Sequence, residues 1–267
     1  MKVMDKVKIC IIIPCYNEAA NLDVWTYRKF IDDHVDVALC FVNDGSKDST
    51  AKMLDLIASG NESRVAILTL PENKGKAEAV RRGINYGNSQ FTHQFIGYLD
   101  ADLSTTLVEC KKMASYMSDE INFVFGSRIR KIGSEIDRSL FRFLVGRMLA
   151  SIISTMLKLK VYDTQCGCKL FTRNLSLTLF QHPFISKWLF DVEVFYNIIL
   201  IYGHKKALHR MIEIPLVRWV QKPASKVSTS YGVGVWIDLY RIGIHYRRLF
   251  NTGVVRTVTQ LNKYVES

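Results

Sequence analysis

The sequence predicts an α/β fold in which helices flank a Rossmann-like, mostly parallel central sheet. Strand-like and helix-like segments alternate along the first half of its 267 residues. Each apolar strand segment also ends in polar side chains that are suited to ligand binding. Alternation at this spacing is typical of parallel strands joined by crossover helices. Because ligands of such sheets bind beyond the carboxyl ends of the strands, the functional site is expected there.

The first three units each join an apolar strand to a helical pattern. VKICIIIPCYN is a β-branched run that ends near Pro14, and Asn17 is the candidate N-cap of the helical pattern that follows. VALCFVNDGS then precedes the helical DSTAKMLDLIAS, and RVAILTLPENKG precedes KAEAVRRGINYG. HQFIGYLDAD completes the series as a fourth strand.

Length and composition predict one large domain with appended segments. A chain of this size that is 48% hydrophobic can bury a full core. The main fold is expected in 1–230, and a basic, amphipathic helical segment in 231–267. Six cysteines lie in apolar segments, and the charged start MKVMDKVK leads directly into a strand. This pattern predicts reduced thiols and a cytoplasmic protein.

The net charge of +11 favours anionic partners, which include nucleic acid, anionic membranes and phosphorylated substrates. Residues 205–256 contain ten Lys or Arg against two acids. Nucleic acid is not expected as a partner, because these basic residues alternate with apolar runs and carry no RNA-binding or zinc signature. The apolar runs also fall short of the ~18 residues that a membrane-spanning helix needs.

Two apolar and basic segments allow several interpretations. The helix that begins near Ser139 has a polar face with Arg147 and Lys158, and a wide apolar face. It fits either a helix packed on the core or a helix in a membrane interface. The basic run from Trp236 to Leu261 fits peripheral contact with an anionic membrane, or a homo-oligomer. QKPASKVSTSYG, which precedes that run, is expected to be a mobile loop.

The acidic pair Asp100 and Asp102 ends the fourth strand. In an extended segment, residues i and i+2 project to the same side, so both carboxylates are expected to face the ligand crevice. Two close carboxylates repel each other unless a cation lies near them. Carboxylate oxygens in small number suit Mg²⁺ or Mn²⁺ that is shared with substrate phosphates. The residues alone also allow a solvated loop with helix N-cap carboxylates.

Seven motifs along the chain resemble a known family. In order they are IIIPCYNEAANL, FVNDGSKDST, ENKGKAEAVRRGI, YLDADLS, FGSR, DTQCGCKLFTR and WLFDVEVFY. Together they resemble the inverting family 2 glycosyltransferases of the GT-A fold. The last three are similar to those of polyprenyl-phosphate transferases, such as the dolichyl-phosphate β-glucosyltransferases. Asn43 departs from the pattern, which often has Asp at that position.

The resemblance implies a UDP-sugar donor at the ends of the first strands. Pro14, Tyr16 and Glu18 are expected to line the base and the ribose. Asp44 is expected to accept a hydrogen bond from the imide N–H of uracil, which would select that base.

The resemblance also implies cations around the diphosphate of the donor. Asp102, helped by Asp100, would hold Mg²⁺ or Mn²⁺, which stabilises the charge that develops on the leaving nucleotide. Lys74 and Lys76 are expected to reach the base or the phosphates, unless they are simply solvated. Arg128 is expected to bind the phosphates of the donor or the acceptor, or else to pair with an acid.

A polyprenyl phosphate acceptor would need little help from a base. A phosphomonoester with a second pKa of about 6 is already mostly dianionic at pH 7. Basic neighbours that hold the dianion are therefore expected, and Lys169 and Arg173 are the candidates. Asp163 is the candidate base or orienting carboxylate.

Asp191 and Glu193 lie in an apolar helical segment, where unpaired carboxylates are rare. A structural ion pair with Arg128 or Lys169 therefore competes with a catalytic role. The alternative function is a family 2 transferase that acts on a saccharide hydroxyl of a surface polymer. In that case Asp163 or Asp191 would be an essential base.

Overall fold

A computed structural model of the protein describes residues 7–137, 140–220 and 231–252. The strands are β1 Ile9–Cys15, β2 Val37–Asp44, β3 Val65–Leu70, β4 Phe95–Leu99, β5 Phe123–Ser127, β6 Glu135–Asp137, β7 Cys168–Thr172, β8 Met211–Pro215 and β9 Arg218–Val220. The helices are α1 Val24–Asp33, α2 Thr50–Ala58, α3 Lys76–Gln90, α4 Leu107–Met113, α5 Leu140–Leu157, α6 Arg173–Leu179, α7 Phe190–Tyr202, α8 His204–Leu208 and α9 Tyr231–Asn251.

Seven strands form one sheet in the order β3-β2-β1-β4-β7-β5-β8. β1 pairs in parallel with β2 and β4, β2 with β3, and β5 with β8. β7 is antiparallel to both of its neighbours, and β6 and β9 form a separate parallel pair. The predicted α/β fold with a mostly parallel sheet is confirmed. Because the chain order reverses between β1 and β4, their carboxyl ends flank a crevice.

Helices cover both faces of the sheet. On one face, α1, α2 and α4 pack against one group of buried side chains. On the other face, α3, α5, α6 and α7 pack against a second group, which includes a stack of aromatic rings around Phe123 and Phe171. β2 is buried along its whole length, as expected for a strand that is covered on both faces.

The antiparallel strand β7 decides which second-half residues reach the crevice. Tyr98 of β4 lies opposite Lys169, and Leu99 lies opposite Cys168. The segment before β7 therefore reaches the carboxyl edge of β4. The end of β7 and the following Arg173 lie at the opposite edge of the sheet.

The predicted strands and helices of the first half are present, but one cap is different. α1 begins at Val24, and the Asp23 side chain caps it by accepting a hydrogen bond from the Thr26 N–H at 3.2 Å. The prediction that Asn17 is the N-cap is wrong. Asn17 has a φ of 50°, and its Oδ1 accepts from the Lys47 N–H at 2.8 Å, so it forms part of the loop before the helix.

α9 is packed on the rest of the protein. Leu239, Ile242 and Tyr246 are buried in the same core as α7, and the Tyr246 ring stacks on Tyr196 at 4.6 Å. The domain boundary predicted at residue 230 stays a prediction. The predicted mobile loop, with Lys222 and Lys226, lies mostly outside the described residues, as does Arg256. Within the described part of the chain, no helix is long and apolar enough to span a bilayer.

Candidate active site

The residues after β1 and β2 are tied together at the crevice. The Asn17 N–H donates to Ser46 Oγ at 3.0 Å, and the Glu18 N–H donates to Thr50 Oγ1 at 2.8 Å. Pro14 is half-buried near the end of β1, and Tyr16 and Glu18 follow it, also half-buried. The structure therefore brings all three to the edge where the resemblance predicts the base and the ribose.

Asp44, the last residue of β2, is only 2% exposed and holds the loop that leads into α3. Its carboxylate accepts from the Lys74 N–H at 2.8 Å, from the Gly75 N–H at 2.9 Å and from the Asn73 side-chain amide at 3.0 Å. Burial raises the pKa of Asp44, and the two backbone donors oppose that effect. A carboxylate offers about four lone-pair positions, so these contacts leave little capacity for the predicted hydrogen bond with uracil.

Asp100 forms an ion pair with Lys76, the first residue of α3. Lys76 Nζ lies 2.5 Å from Asp100 Oδ1, and both side chains remain partly accessible to solvent. Burial opposes the charge of Lys76, but the carboxylates of Asp100 and Asp191 outweigh it and raise the pKa of the lysine. Asp100 also lies directly on Gly167, where an added Cβ would be 1.9 Å from its Oδ2. Lys74 pairs instead with Glu72, and its side chain is 41% exposed.

Asp102 lies in a tight turn beside that pair. Its Oδ1 accepts from the Ser104 N–H at 2.9 Å, and Leu103 between them has a left-handed φ of 53°. A branched residue in that region stores strain, which the surrounding contacts must hold. The buried Tyr27 hydroxyl donates to the backbone oxygen between the two acids at 3.0 Å. Burial and the neighbouring Asp100 raise the pKa of Asp102.

This acidic pair fits Mg²⁺ or Mn²⁺. Burial is the main cause of the raised pKa of Asp102, and Asp100 adds to it, whereas Lys76 opposes it. A divalent cation beside the pair would favour the ionised form of both carboxylates. Among the described residues, no group of three or more His, Cys, Asp or Glu side chains is arranged so that it could hold a metal ion by itself. Such a group is not needed, because Mg²⁺ is commonly held by one or two carboxylates together with substrate phosphates.

Arg128 and Asp163 form a second pair beyond β5. Arg128 Nε and Nη2 donate to the two oxygens of Asp163 at 2.6 and 2.8 Å, and the Arg128 N–H adds a third bond at 3.2 Å. The guanidinium also lies over the Trp219 ring, 5.4 Å from its centroid. Although burial opposes ionisation, Arg128 lowers the pKa of Asp163 to about 2. A carboxylate this acidic and this fully bonded is a poor proton acceptor, which argues against the prediction of Asp163 as a base.

Lys169 and Asp191 form a third pair, which is sealed from solvent. Lys169 Nζ lies 2.6 Å from Asp191 Oδ1 and donates to the Cys166 carbonyl at 2.6 Å. The Tyr98 hydroxyl donates to the same carboxylate. The side chains of Lys169 and Asp191 are 0% and 4% exposed. The structure thus contradicts the prediction that Lys169 contacts the acceptor, because its ammonium is enclosed and already paired.

Residues 10–180 match the family model of Glycosyl transferase family 2. The chain belongs to this family.

Several curated glycosyltransferases are similar to this chain over most of its length. A dolichyl-phosphate beta-glucosyltransferase of Trichomonas vaginalis is 30% identical over 263 residues, which cover 92% of this chain and 76% of that protein. The Dictyostelium discoideum enzyme of the same name is 29% identical over 263 residues, with 91% and 76% covered. The human one is 26% identical over 269 residues, with 93% and 78% covered.

Solved structures share the fold. Glucosyl-3-phosphoglycerate synthase from Mycobacterium tuberculosis, in complex with UDP, superposes with a TM-score of 0.63 and 18% identity, over 88% of this chain and 80% of that chain. The same enzyme with Mn²⁺ and UDP-glucose gives a TM-score of 0.64 and 17% identity, over 90% and 78%. The glycosyltransferase described here therefore has the GT-A fold that the resemblance predicted.

Two second-half residues of this glycosyltransferase lie elsewhere than predicted. Glu193 does not pair with Arg128 or Lys169, since its carboxylate accepts from the Ile185 and Ser186 N–H groups at 3.0 and 2.9 Å. Burial raises the pKa of Glu193 to about 7. The prediction of Arg173 near the acceptor is also wrong, because β7 runs antiparallel and carries it to the far edge of the sheet.

The sequence interpretation missed Lys187 and Gly167. The Lys187 carbonyl accepts from the Ala77 N–H at 3.1 Å, which joins the segment before α7 to the start of α3. Gly167 is needed because the Asp100 carboxylate occupies the space of its side chain. Gly167 lies inside the motif DTQCGCKLFTR, and Lys187 directly precedes the motif WLFDVEVFY. This proximity to family motifs was the sequence signal that could have identified both residues.

Proposed function

We propose that this glycosyltransferase moves a glucosyl residue from UDP-glucose to a polyprenyl phosphate, with inversion at the anomeric carbon. The names of the relatives at 26–30% identity support the glucosyl group and the lipid phosphate. The solved complex of the Mycobacterium tuberculosis enzyme with Mn²⁺ and UDP-glucose supports the donor. The acidic pair at the reversal point of the sheet supports donor binding at the crevice.

The donor would lie across the ends of β1, β2 and β4. Tyr16 and Glu18 would line the base and the ribose, and Asp44 would act indirectly, by fixing the loop before α3. Asp102 and Asp100 would hold Mg²⁺ or Mn²⁺, and the ion would supply positive charge that stabilises the leaving diphosphate.

The observation that carries the choice of acceptor is that Asp163 and Asp191 both lie in ion pairs. Asp163 pairs with Arg128, and Asp191 pairs with Lys169. A saccharide hydroxyl would need a carboxylate available to remove its proton. A lipid phosphate is already mostly dianionic at pH 7. It needs a cation that holds it in line with the bond between the sugar and the leaving diphosphate. The two ion pairs therefore favour the phosphate acceptor.

Arg128 is the residue of the site that best fits the acceptor phosphate. Asp163 engages its Nε and Nη2, and Trp219 supports the plane of the guanidinium, so the group is held in one orientation. A planar guanidinium fixed in this way can offer its remaining N–H groups to phosphate oxygens.

The lipid substrate also requires the enzyme to reach a membrane surface, and α5 offers a suitable face. Leu144, Val145 and Met148 are exposed on α5, and Ile132 is fully exposed at the tip of the preceding turn. The Arg130 guanidinium lies 6.0 Å from the Phe143 ring and links that turn to the helix. Exposed apolar side chains beside basic groups are suited to the interface of an anionic membrane leaflet.

We place this contact on the cytoplasmic face. The six cysteines are all free thiols, which fits a reducing compartment. Self-association through the same apolar surface stays a prediction from the sequence.

The test of this function is transfer of labelled sugar into lipid. The purified protein is incubated with Mn²⁺, undecaprenyl phosphate and each of several UDP- and GDP-sugars, and the products are extracted with organic solvent. Label from UDP-glucose is expected in the lipid fraction. Label that appears only in a soluble glycan would overturn the proposal in favour of a hydroxyl acceptor.

A flotation assay tests the membrane contact separately. Vesicles that contain anionic lipid are expected to carry the protein upward, and uncharged vesicles to carry less of it. Replacing Ile132 by Asp should weaken flotation, whereas replacing the distant exposed Val35 by Asp should not. Equal flotation of the two variants would contradict the assigned surface.

A further inference from the structure

We propose that Lys187, in the segment before α7, binds the diphosphate of the donor nucleotide. This inference rests on the proposed function, because it assigns a new contact within the same site. Three observations support it: the position of the lysine, the rigidity of the segment that carries it, and the lack of a carboxylate partner among the described residues.

The position of Lys187 is on the donor side of the crevice. Its carbonyl accepts from the Ala77 N–H in the first turn of α3, at 3.1 Å. Its aliphatic stem crosses Gly75, where an added Cβ would lie 3.3 Å from both Cβ and Cδ of the lysine. The Gly75 N–H is bonded to Asp44 at 2.9 Å, and Lys76 next to it pairs with Asp100. The ammonium is two bonds beyond Cδ, so it can reach toward the acidic edge where the diphosphate would bind.

Hydrogen bonds hold the backbone on both sides of Lys187. Glu193 accepts from the two N–H groups just before it, at 3.0 and 2.9 Å. Ser186 Oγ accepts from the two N–H groups just after it, at 3.2 and 2.9 Å, and donates to Asp238 of α9 at 2.6 Å. The start of the lysine side chain is thus fixed, which lowers the entropy cost of placing its charge on a ligand.

Lys187 has no carboxylate partner among the described residues. By contrast, four other cations near this edge each pair with a carboxylate, and they are Lys74, Lys76, Arg128 and Lys169. Lys187 is exposed and makes no ion pair or side-chain hydrogen bond to any residue that the structure describes. A well-placed ammonium without a local counter-ion suits an incoming anion.

The diphosphate is a better match than the acceptor phosphate. The stem of Lys187 lies on the loop between β3 and α3, whereas the candidate acceptor residue Arg128 follows β5, on the other side of β4. Negative charge also grows on the diphosphate as the bond to the sugar breaks. An ammonium placed there would therefore favour both donor binding and departure of the leaving group.

The test compares UDP and uridine binding to the full chain. Lys187→Met keeps the stem that packs on Gly75 and removes the charge, and Lys187→Arg restores a charge. Isothermal titration with Mn²⁺ is expected to show about 10-fold weaker UDP binding for Lys187→Met, and recovery for Lys187→Arg. Uridine affinity, measured by competition, should not change. Lys52→Met on α2, another exposed lysine, is the matched control and should bind UDP as the wild type does.

Each other outcome has a defined meaning. Unchanged UDP affinity in Lys187→Met, with wild-type binding intact, overturns the inference and leaves the proposed function standing. Unchanged UDP affinity with a raised KM for the lipid phosphate also overturns it, since the lysine would then serve the acceptor. A wild-type protein that binds no UDP contradicts the proposed function itself. A parallel loss of uridine affinity would indicate a disturbed fold and count against a specific phosphate contact.

Discussion

Two lysine–aspartate pairs at the carboxyl edge of β4 have the same chemistry and opposite access to solvent. Lys76 and Asp100 are 22% and 39% exposed, and their atoms approach to 2.5 Å. Lys169 and Asp191 are 0% and 4% exposed, with an approach of 2.6 Å. The first pair is partly open to solvent. The second is enclosed by Tyr98 and a backbone carbonyl.

We expect this difference to separate a binding role from a structural one. Removing one member of a buried pair leaves an uncompensated charge, which is strongly destabilising. Removing one member of an accessible pair costs little stability, because water solvates the remaining charge. Variants of the buried pair should therefore lose mainly stability, whereas variants at the accessible pair should lose mainly ligand binding.

The largest effect on transfer is expected at the acidic turn next to the accessible pair. Asp102→Asn removes the negative charge that would hold the divalent ion, and should lower the rate by about 1,000-fold or more. The melting temperature should stay close to that of the wild type or rise, because the repulsion with Asp100 is relieved. The amount of labelled lipid product gives the transfer rate, and thermal unfolding gives the melting temperature. Full activity in this variant would contradict the metal site.

Lys169→Met should destabilise the protein by about 3 to 5 kcal/mol, since it leaves Asp191 buried without its cation. Urea unfolding measures this loss. The double variant Lys169→Met with Asp191→Leu is the control, and it should recover much of the stability because no unpaired charge remains. If the single variant unfolds like the wild type, the pair is not sealed as described.

Glu193 should make stability depend on pH near neutrality. Its pKa is raised from 4.5 to about 7 in the folded protein, so the folded state binds the proton more tightly than the unfolded state. Glu193 should therefore contribute a fall in stability of about 2 kcal/mol as the pH rises from 5 to 8. Burial lowers the pKa of His93 to about 4, so His93 contributes a change of opposite sign over part of this range. The contribution of Glu193 is measured as the difference between the wild type and Glu193→Gln in urea unfolding series.

Asp163 makes stability depend on pH in the opposite direction and over a lower pH range. Arg128 lowers its pKa from 3.8 to about 2, so the stabilisation that this pair adds is present above pH 4 and is lost toward pH 2. This pair therefore does not contribute to the change in stability between pH 5 and pH 8. If the wild type and Glu193→Gln lose the same stability between these two pH values, the prediction for Glu193 is contradicted.

The sequence allowed prediction of the parts of the site that depend on local pattern. The order of strands and helices in the first half follows from periodicity, and parallel crossovers then bring Asp44 and Asp100 to one edge. The identity of Asp102 as a candidate ligand follows from its spacing from Asp100. These features need no knowledge of how distant segments pack.

The sequence could not separate binding residues from structural ones in the second half. Lys169 and Arg173 looked alike as basic residues in one motif, but the antiparallel direction of β7 buries the first and carries the second to the far edge. The sequence left Asp163 as a candidate base or orienting carboxylate, and it did not reveal the ion pair with Arg128, 35 residues away. Strand direction and long-range ion pairs depend on tertiary packing, which periodicity does not report.

The smallest change in stability is expected for the accessible pair itself. Lys76→Met should alter the free energy of unfolding by less than about 1 kcal/mol, because Asp100 can be solvated after the lysine is removed. Donor affinity in Mn²⁺ should nevertheless change, since Lys76 helps to set the charge balance at the acidic edge. Urea unfolding and UDP titration on the same preparation separate the two effects. A loss of several kcal/mol in Lys76→Met would make the two pairs equivalent, and the distinction between a binding pair and a structural pair would have to be abandoned.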